Sequence, residues 1–213
     1  MTWTNLISFF WKKRSKKTYH SKDYYKQKLD QYKDLSGYCN ILVVLSNKDP
    51  IYINTEIDLI HDRQSLVSQR DALKRYGMPD CKYPITHNSL KIEILFYRIY
   101  IGNYKARLEL HFTDDKLFYY SYTLPYINRR EEQETLNTLK SKYVKDISFD
   151  YENNSIVDKN LFNLWIERVV NLKVHYFLNS PEVVQMIMEN FDKQEFKKME
   201  VLRKDTSKRY KKL

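Results

Sequence analysis

The chain has 213 residues, enough for one domain with extensions or two small ones, and its 42% hydrophobic content supports a real core. Only three Gly and five Pro exclude a loop-rich or low-complexity chain. The net charge of +10 sits at the ends: residues 1–50 hold ten basic and four acidic side chains, residues 193–213 hold nine and three, and the middle carries 18 basic against 20 acidic. A domain that reads nucleic-acid sequence carries its charge on the fold itself, so this pattern points away from that class.

Charge and patterning divide the chain into a basic amphipathic segment at 1–34, an α+β domain at 35–192, and a basic tail at 193–213 that continues a helix. In the first segment Trp3, Leu6, Ile7, Phe10 and Trp11 fall on one helical stripe, followed by Lys12, Lys13, Arg14, Lys16 and Lys17. Two readings fit. The stripe packs into the core or onto a partner, or Trp3, Phe10 and Trp11 with the five cations rest on an anionic membrane surface. The positive charges follow the apolar stretch, unlike a secretory signal. The longest uncharged run, LSGYCNILVVLSN, is well short of the roughly 20 residues that span a bilayer. The expected location is cytoplasmic, with peripheral attachment to the inner membrane face as the consequence of the second reading.

Residues 21–34 read as a helix. CNILVVL (39–45) reads as a buried strand and IYIN (51–54) as its return. Residues 63–77 form a helix through Leu66, Val67, Ala72, Leu73 and Tyr76, stopped by Gly77. LKIEILFYRIYI, YKARLELHF and LFYYSYTL then form a three-strand meander across 90–124, with a two-residue turn at Gly102–Asn103. Asn128 and Glu131 form a capping box that opens a helix through Leu136, Leu139, Tyr143 and Val144. Residues 146–170 fit a helix or strands, NLKVHYFL reads as a strand, and Ser180–Pro181 starts a last helix through Val184, Ile187 and Phe191.

The Gly102–Asn103 turn sets a register. Ile101 faces Tyr104, Ile99 faces Ala106, Tyr97 faces Leu108 and Leu95 faces Leu110, an apolar core face. On the opposite face Tyr100 meets Lys105 and Arg98 meets Arg107. A four-residue TDDK loop would add Tyr122 beside Arg107 and Tyr120 beside Glu109. Two arginines directly opposite repel, which poises them for an anionic partner, and Tyr and Arg dominate protein interfaces. Arg98, Tyr100, Lys105, Arg107, Tyr120 and Tyr122 are therefore the candidate partner-binding residues.

Catalytic signatures are missing. His20, His61, His87, His111 and His175 form no metal spacing, and three separated glycines build no phosphate loop. The Pro-Asp at 79–80 resembles the opening of a nuclease set, but Ile94–Leu95 after Glu93 leaves no lysine in place. Cys39 and Cys81 form no C-x-x-C pair and read as two buried reduced thiols. No catalytic residue, metal or cofactor is assigned.

Residues 64–123 resemble the small α+β lipoprotein domains of the outer-membrane barrel-assembly type, related in fold to β-lactamase-inhibitor-protein repeats. In those a helix ends in Gly-x-Pro, a sheet follows, and a Phe-Asp-x-Lys-like turn joins two strands. Gly77, Pro79, Phe112, Asp114 and Lys116 occupy the matching places, within under a third of the chain. The export signal and lipid-bearing Cys of that family are not seen. The resemblance implies a protein-binding scaffold.

The resulting expectation is an α+β fold, an antiparallel sheet with its meander at 90–124 and helices packed on one face. The expected role is a non-enzymatic macromolecular binding protein, of inhibitor, immunity or adaptor type, whose partner is a protein; the arginine pair suits an acidic one. The alternative is a nucleic-acid-associated protein that uses its basic ends.

Overall fold

The computed structural model describes residues 20–57, 68–145 and 147–193. In chain order the elements are α1 (His20–Tyr32), α2 (Ser36–Ser46), β1 (Asp49–Tyr52), α3 (Gln69–Tyr76), β2 (Cys81–His87), β3 (Leu90–Ile101), β4 (Tyr104–Thr113), β5 (Lys116–Leu124), α4 (Arg129–Tyr143), β6 (Asn154–Val157), β7 (Phe162–Arg168) and β8 (Leu172–Leu178). A fifth helix, α5, includes residues 181–193.

The eight strands form one sheet in the order β1-β6-β7-β8-β5-β4-β3-β2. The α+β reading holds, but the meander of β3, β4 and β5 is only the middle of a larger, mixed sheet. Every neighbouring pair is antiparallel except β1 with β6, which run parallel. Residues 146–170, ambiguous in sequence, supply β6 and β7. The edge strand β2 carries exposed Lys82 and Pro84, a charge and a missing donor that discourage further strand pairing.

Helices cover both faces, which corrects the one-face expectation. On one face Leu95, Tyr97, Leu108 and Leu110 pack with Ala72 of α3 and Leu136, Leu139 and Tyr143 of α4. On the other, Ile92, Ile94 and Phe96 pack with Tyr25 and Tyr32 of α1, Tyr38, Ile41 and Leu45 of α2, and Ile187 of α5. The signal lies in β3 itself. From Leu90 to Tyr97 only Lys91 and Glu93 interrupt an apolar run, and such a run marks a strand buried on both sides.

The segment 39–45, expected as a strand, belongs to helix α2. A helix places Gly37, Tyr38, Ile41 and Leu45 on one buried face and leaves Val43 and Val44 outside. The run is short and rich in β-branched residues, and so reads equally as a strand. The corner before it is tight. Leu35 is buried with φ 63, and a Cβ added to Gly37 would stand 2.5 Å from the Gln31 carbonyl oxygen.

The helix expected over 63–77 is α3, which begins only at Gln69, where Ser68 and Asp71 form a capping box, while 63–67 lie outside the described residues; Gly77, with φ 73, closes it as expected. Asn128 and Glu131 form the expected box at α4. Cys39 and Cys81 are free and only partly buried, less enclosed than expected, and both pack against the α1–α2 side of the core.

Candidate functional site

Strand β4 alternates Ala106, Leu108, Leu110 and Phe112 toward α3 and α4, and Lys105, Arg107, Glu109 and His111 toward the opposite side. At the far end of this second set α1 and α2 close over the sheet, and Glu109 and His111 are fully buried. Tyr25, Lys28, Leu29 and Tyr32 are spaced to form the inward stripe of α1. Lys28 Nζ lies 3.1 Å from Glu109 Oε1, and the Tyr32 hydroxyl donates to Glu109 Oε2 at 3.3 Å.

From there a polar band crosses the sheet. The Tyr32 and Tyr119 oxygens are 3.5 Å apart, Tyr119 lies 2.9 Å from His175 Nδ1, and His175 Nε2 lies 3.0 Å from Glu167 Oε2. Lys173 Nζ closes the far end, 2.8 Å from Glu167 Oε2. The Trp165 ring stacks on His175 with centroids 4.7 Å apart. The Glu167 carboxylate can only accept, so His175 donates from Nε2 and accepts the Tyr119 proton at Nδ1. By the same reasoning the Tyr38 hydroxyl, 2.7 Å from His111 Nδ1, donates to it, and the His111 Nε2 proton faces Glu109 Oε2 at 3.8 Å.

The electrostatics fix these protonation states. Burial raises the Glu109 carboxyl, but Lys28 and the His111 contact outweigh it and hold it at about 2. The His175 hydrogen bond, working against burial and helped by Lys173, likewise holds Glu167 at about 2. Burial pushes both His111 and His175 down against the pull of their carboxylates, which favours neutral rings. At neutral pH the band is thus two fixed lysine–carboxylate pairs joined by neutral phenol and imidazole groups. That arrangement orients the helix layer on the sheet.

The near end of the same β4 face lies at the β3–β4 turn. The register is the one read from sequence: Arg98 opposite Arg107, Tyr100 opposite Lys105. The Arg98 backbone N–H donates to Asp80 Oδ2 at 2.8 Å, so it points away from β4. The arginine pair is therefore the non-hydrogen-bonded kind, in which facing side chains come closest. The Arg98 guanidinium bonds the Tyr25 phenol, whose ring lies 5.2 Å from that of Phe96. Arg107 is half-buried, while Lys105 is exposed and Tyr100 is 66% exposed.

Tyr120 and Tyr122 do not join this group. Both are buried on the opposite face, where Tyr120 stacks on Tyr176 at 4.2 Å and Tyr122 meets the same ring edge-on at 5.9 Å. The cause is a β-bulge. Thr113 pairs with Lys116 and Phe112 with Leu117, the register expected from the turn, but His111 pairs with Tyr119. Phe118 is the extra residue, and it slips every later pair by one, so Arg107 faces Thr123 and Leu108 faces Tyr122. Nothing in LFYYSYTL distinguishes the bulged register from the regular one.

Trp3, Phe10, Trp11, Lys12, Lys13, Arg14, Lys16 and Lys17 lie outside the described residues, as do His61 and the tail beyond Lys193. Sequence reading missed the buried band because it took the polar face of β4 as open. The inward stripe of α1 was the available sign of a cover. Among the described residues no helix is long and apolar enough to cross a membrane, and no group of three His, Cys, Asp or Glu could hold a metal ion. Comparison with protein families, curated proteins and solved structures finds no match to the chain.

Proposed function

We propose that the protein is a non-enzymatic binding protein of the inhibitor, immunity or adaptor kind, acting in the cytoplasm. Its binding face is the outer side of the β3–β4 end, where Arg98, Tyr100, Lys105 and Arg107 receive an acidic protein surface. The observation that carries this reading is Tyr100. It is 66% exposed beside Lys105 and two juxtaposed arginines, on a hairpin held rigid by β2, β5 and α1. Rigid Tyr and Arg side chains are the usual anchors of protein interfaces, and a preorganised strand keeps the ordering cost low. The burial of Glu109, His111 and His175 favours a scaffold role for them over chemistry.

The test is a photo-crosslinking residue at position 100 in the full chain, expressed in the source cell, with nuclease treatment before capture. A protein adduct that disappears in Arg98→Glu/Lys105→Glu supports the reading. An adduct that is nucleic acid supports the alternative of a nucleic-acid-associated protein using its basic ends. An adduct unaffected by the charge reversal would sink the proposed face.

A further inference from the structure

Among the described helices only α2 carries no Asp, Glu, Lys or Arg, and the uncharged run extends from Leu35 to Asn47. One side of the helix is buried through Gly37, Tyr38, Ile41 and Leu45. The other side faces outward and is equally uncharged. Asn40, Val43, Val44 and Asn47 are exposed there, Val43 at 58% and Val44 at 41%. The outer side of a surface helix is ordinarily charged, and valine is a poor helix former, so neither local propensity nor the core asks for these two residues. Such conflicts between local chemistry and fold concentrate at functional positions.

The charges that flank the run are turned to local partners. Asp34 accepts from the Ser36 backbone and hydroxyl, and Lys48 Nζ donates to the Glu152 carbonyl oxygen at 2.7 Å. Beyond Lys48, Ile51 packs on the α3–α4 side of β1. Alternation therefore turns Tyr52 to the α2 side of the sheet, where it is 74% exposed.

Two features select what covers this face. The first is symmetry. The exposed stripe is Asn40, Val43, Val44 and Asn47, at the i, i+3, i+4, i+7 spacing of one helix face, and its residue types are the same read in either direction. Laid antiparallel on itself about a two-fold axis between positions 43 and 44, the stripe sets Val43 against the partner's Val44 and Asn40 against the partner's Asn47. A two-fold contact has to be self-complementary, and Asn, with both donor and acceptor, can bond its own kind. The Asn47 amide nitrogen donates to the Val43 carbonyl at 3.0 Å, which fixes the amide with its oxygen as the acceptor for the second copy. Antiparallel helices also bring opposite dipole ends together. The second feature is charge. The chain carries +10, so two copies repel wherever basic surface meets basic surface, and an uncharged face is where they can meet.

We propose that α2 is a homodimer contact. A second copy of the chain packs its α2 antiparallel on this one, with Val43 and Val44 at the centre and the Asn40 and Asn47 amides bonding across the two ends. A helix of 11 residues is about 16 Å long, so the contact lies at the low end of specific interfaces and the dimer forms and dissociates with concentration. Salt screens the repulsion between the two basic copies and strengthens the dimer, the opposite of its effect on a polyanion contact. The contact is separate from the face of Arg98, Tyr100, Lys105 and Arg107.

The experiment is sedimentation equilibrium of the full chain from about 1 μM to about 1 mM, at low and at physiological salt, beside Val43→Glu, Val44→Lys and an equimolar mixture of the two variants. Both side chains face solvent, so melting temperatures at low concentration should be unchanged. The full chain should pass from monomer to dimer, more readily at the higher salt. Each single variant should dimerise at least about tenfold more weakly, because it brings an unpaired charge to the axis. In the mixture the new carboxylate of one chain faces the new ammonium of the other, and dimer should return as the heterodimer. A full chain that stays monomeric throughout, a Val43→Glu variant that dimerises as well as the full chain, or a mixture with no more dimer than its components would each overturn the inference.

Discussion

The Tyr119 hydroxyl sits 2.9 Å from His175 Nδ1, fully inside the protein, and ties β5 to β8 through side chains as well as backbone. Each partner has a second contact, Tyr119 toward Tyr32 and His175 toward Glu167. Tyr119→Phe would leave the His175 nitrogen buried without its donor. The expected loss is about 1–3 kcal/mol of stability, read as a lower urea midpoint at unchanged slope.

Acid should destabilise the protein in two windows. His111 and His175 are pushed below the ordinary value of about 6.5, so the unfolded chain binds the proton more readily. Stability from them is present above that value and lost as pH falls through it. Glu109 and Glu167, held at about 2, contribute stability above the ordinary carboxylate value of about 4.3, lost as pH falls toward 2. A melting temperature that declines below about pH 6.5 and declines again below about pH 4.5 is the expected profile. In Glu109→Gln the second decline should shrink, and at neutral pH Lys28 loses its buried partner, which costs about 3–5 kcal/mol.

Gly37 stands at a tight corner of the helix layer. A methyl group there would press on the Gln31 carbonyl oxygen and the Tyr32 ring, and the backbone oxygen cannot move aside as a flexible side chain could. Gly37→Ala should cost about 1–3 kcal/mol, measured by thermal or urea unfolding, despite the better helix propensity of Ala.

The bulge at Phe118 can be checked by a pair of truncations. Tyr122→Ala should cost about 3–5 kcal/mol, because it empties a buried site against Tyr176. Tyr100→Ala should stay within about 0.5 kcal/mol, because its ring faces solvent. A neutral Tyr122→Ala would mean that Tyr122 lies on the open face, as the regular register implies.

Much of this architecture was readable residue by residue. Strict alternation in YKARLELHF and a positive-φ glycine at 102 set the β3–β4 register without ambiguity. Asn128 with Glu131, and Gly77, marked helix ends through local hydrogen bonding and backbone conformation. What was not readable depended on distant partners. CNILVVL took helical form because Tyr38, Ile41 and Leu45 meet a sheet assembled from residues far along the chain. Tyr120 and Tyr122 changed face through one extra residue that pattern alone does not reveal. Of the six candidate binding residues, four stayed on one face, and the two that left did so for that single reason.

The measurement that bears most directly on a binding role is the affinity of the crosslinked protein partner, once purified, for the full chain and for Arg98→Glu/Lys105→Glu, with melting temperatures recorded alongside. Both positions are exposed, and the change at Arg98 gives up only its bond to Tyr25, so the protein should stay folded with a slightly lower melting temperature. Affinity should fall by about 2–5 kcal/mol, with a modest rather than steep dependence on salt in the unaltered complex. Unchanged affinity in the folded double variant would contradict the assignment of this face as the binding surface.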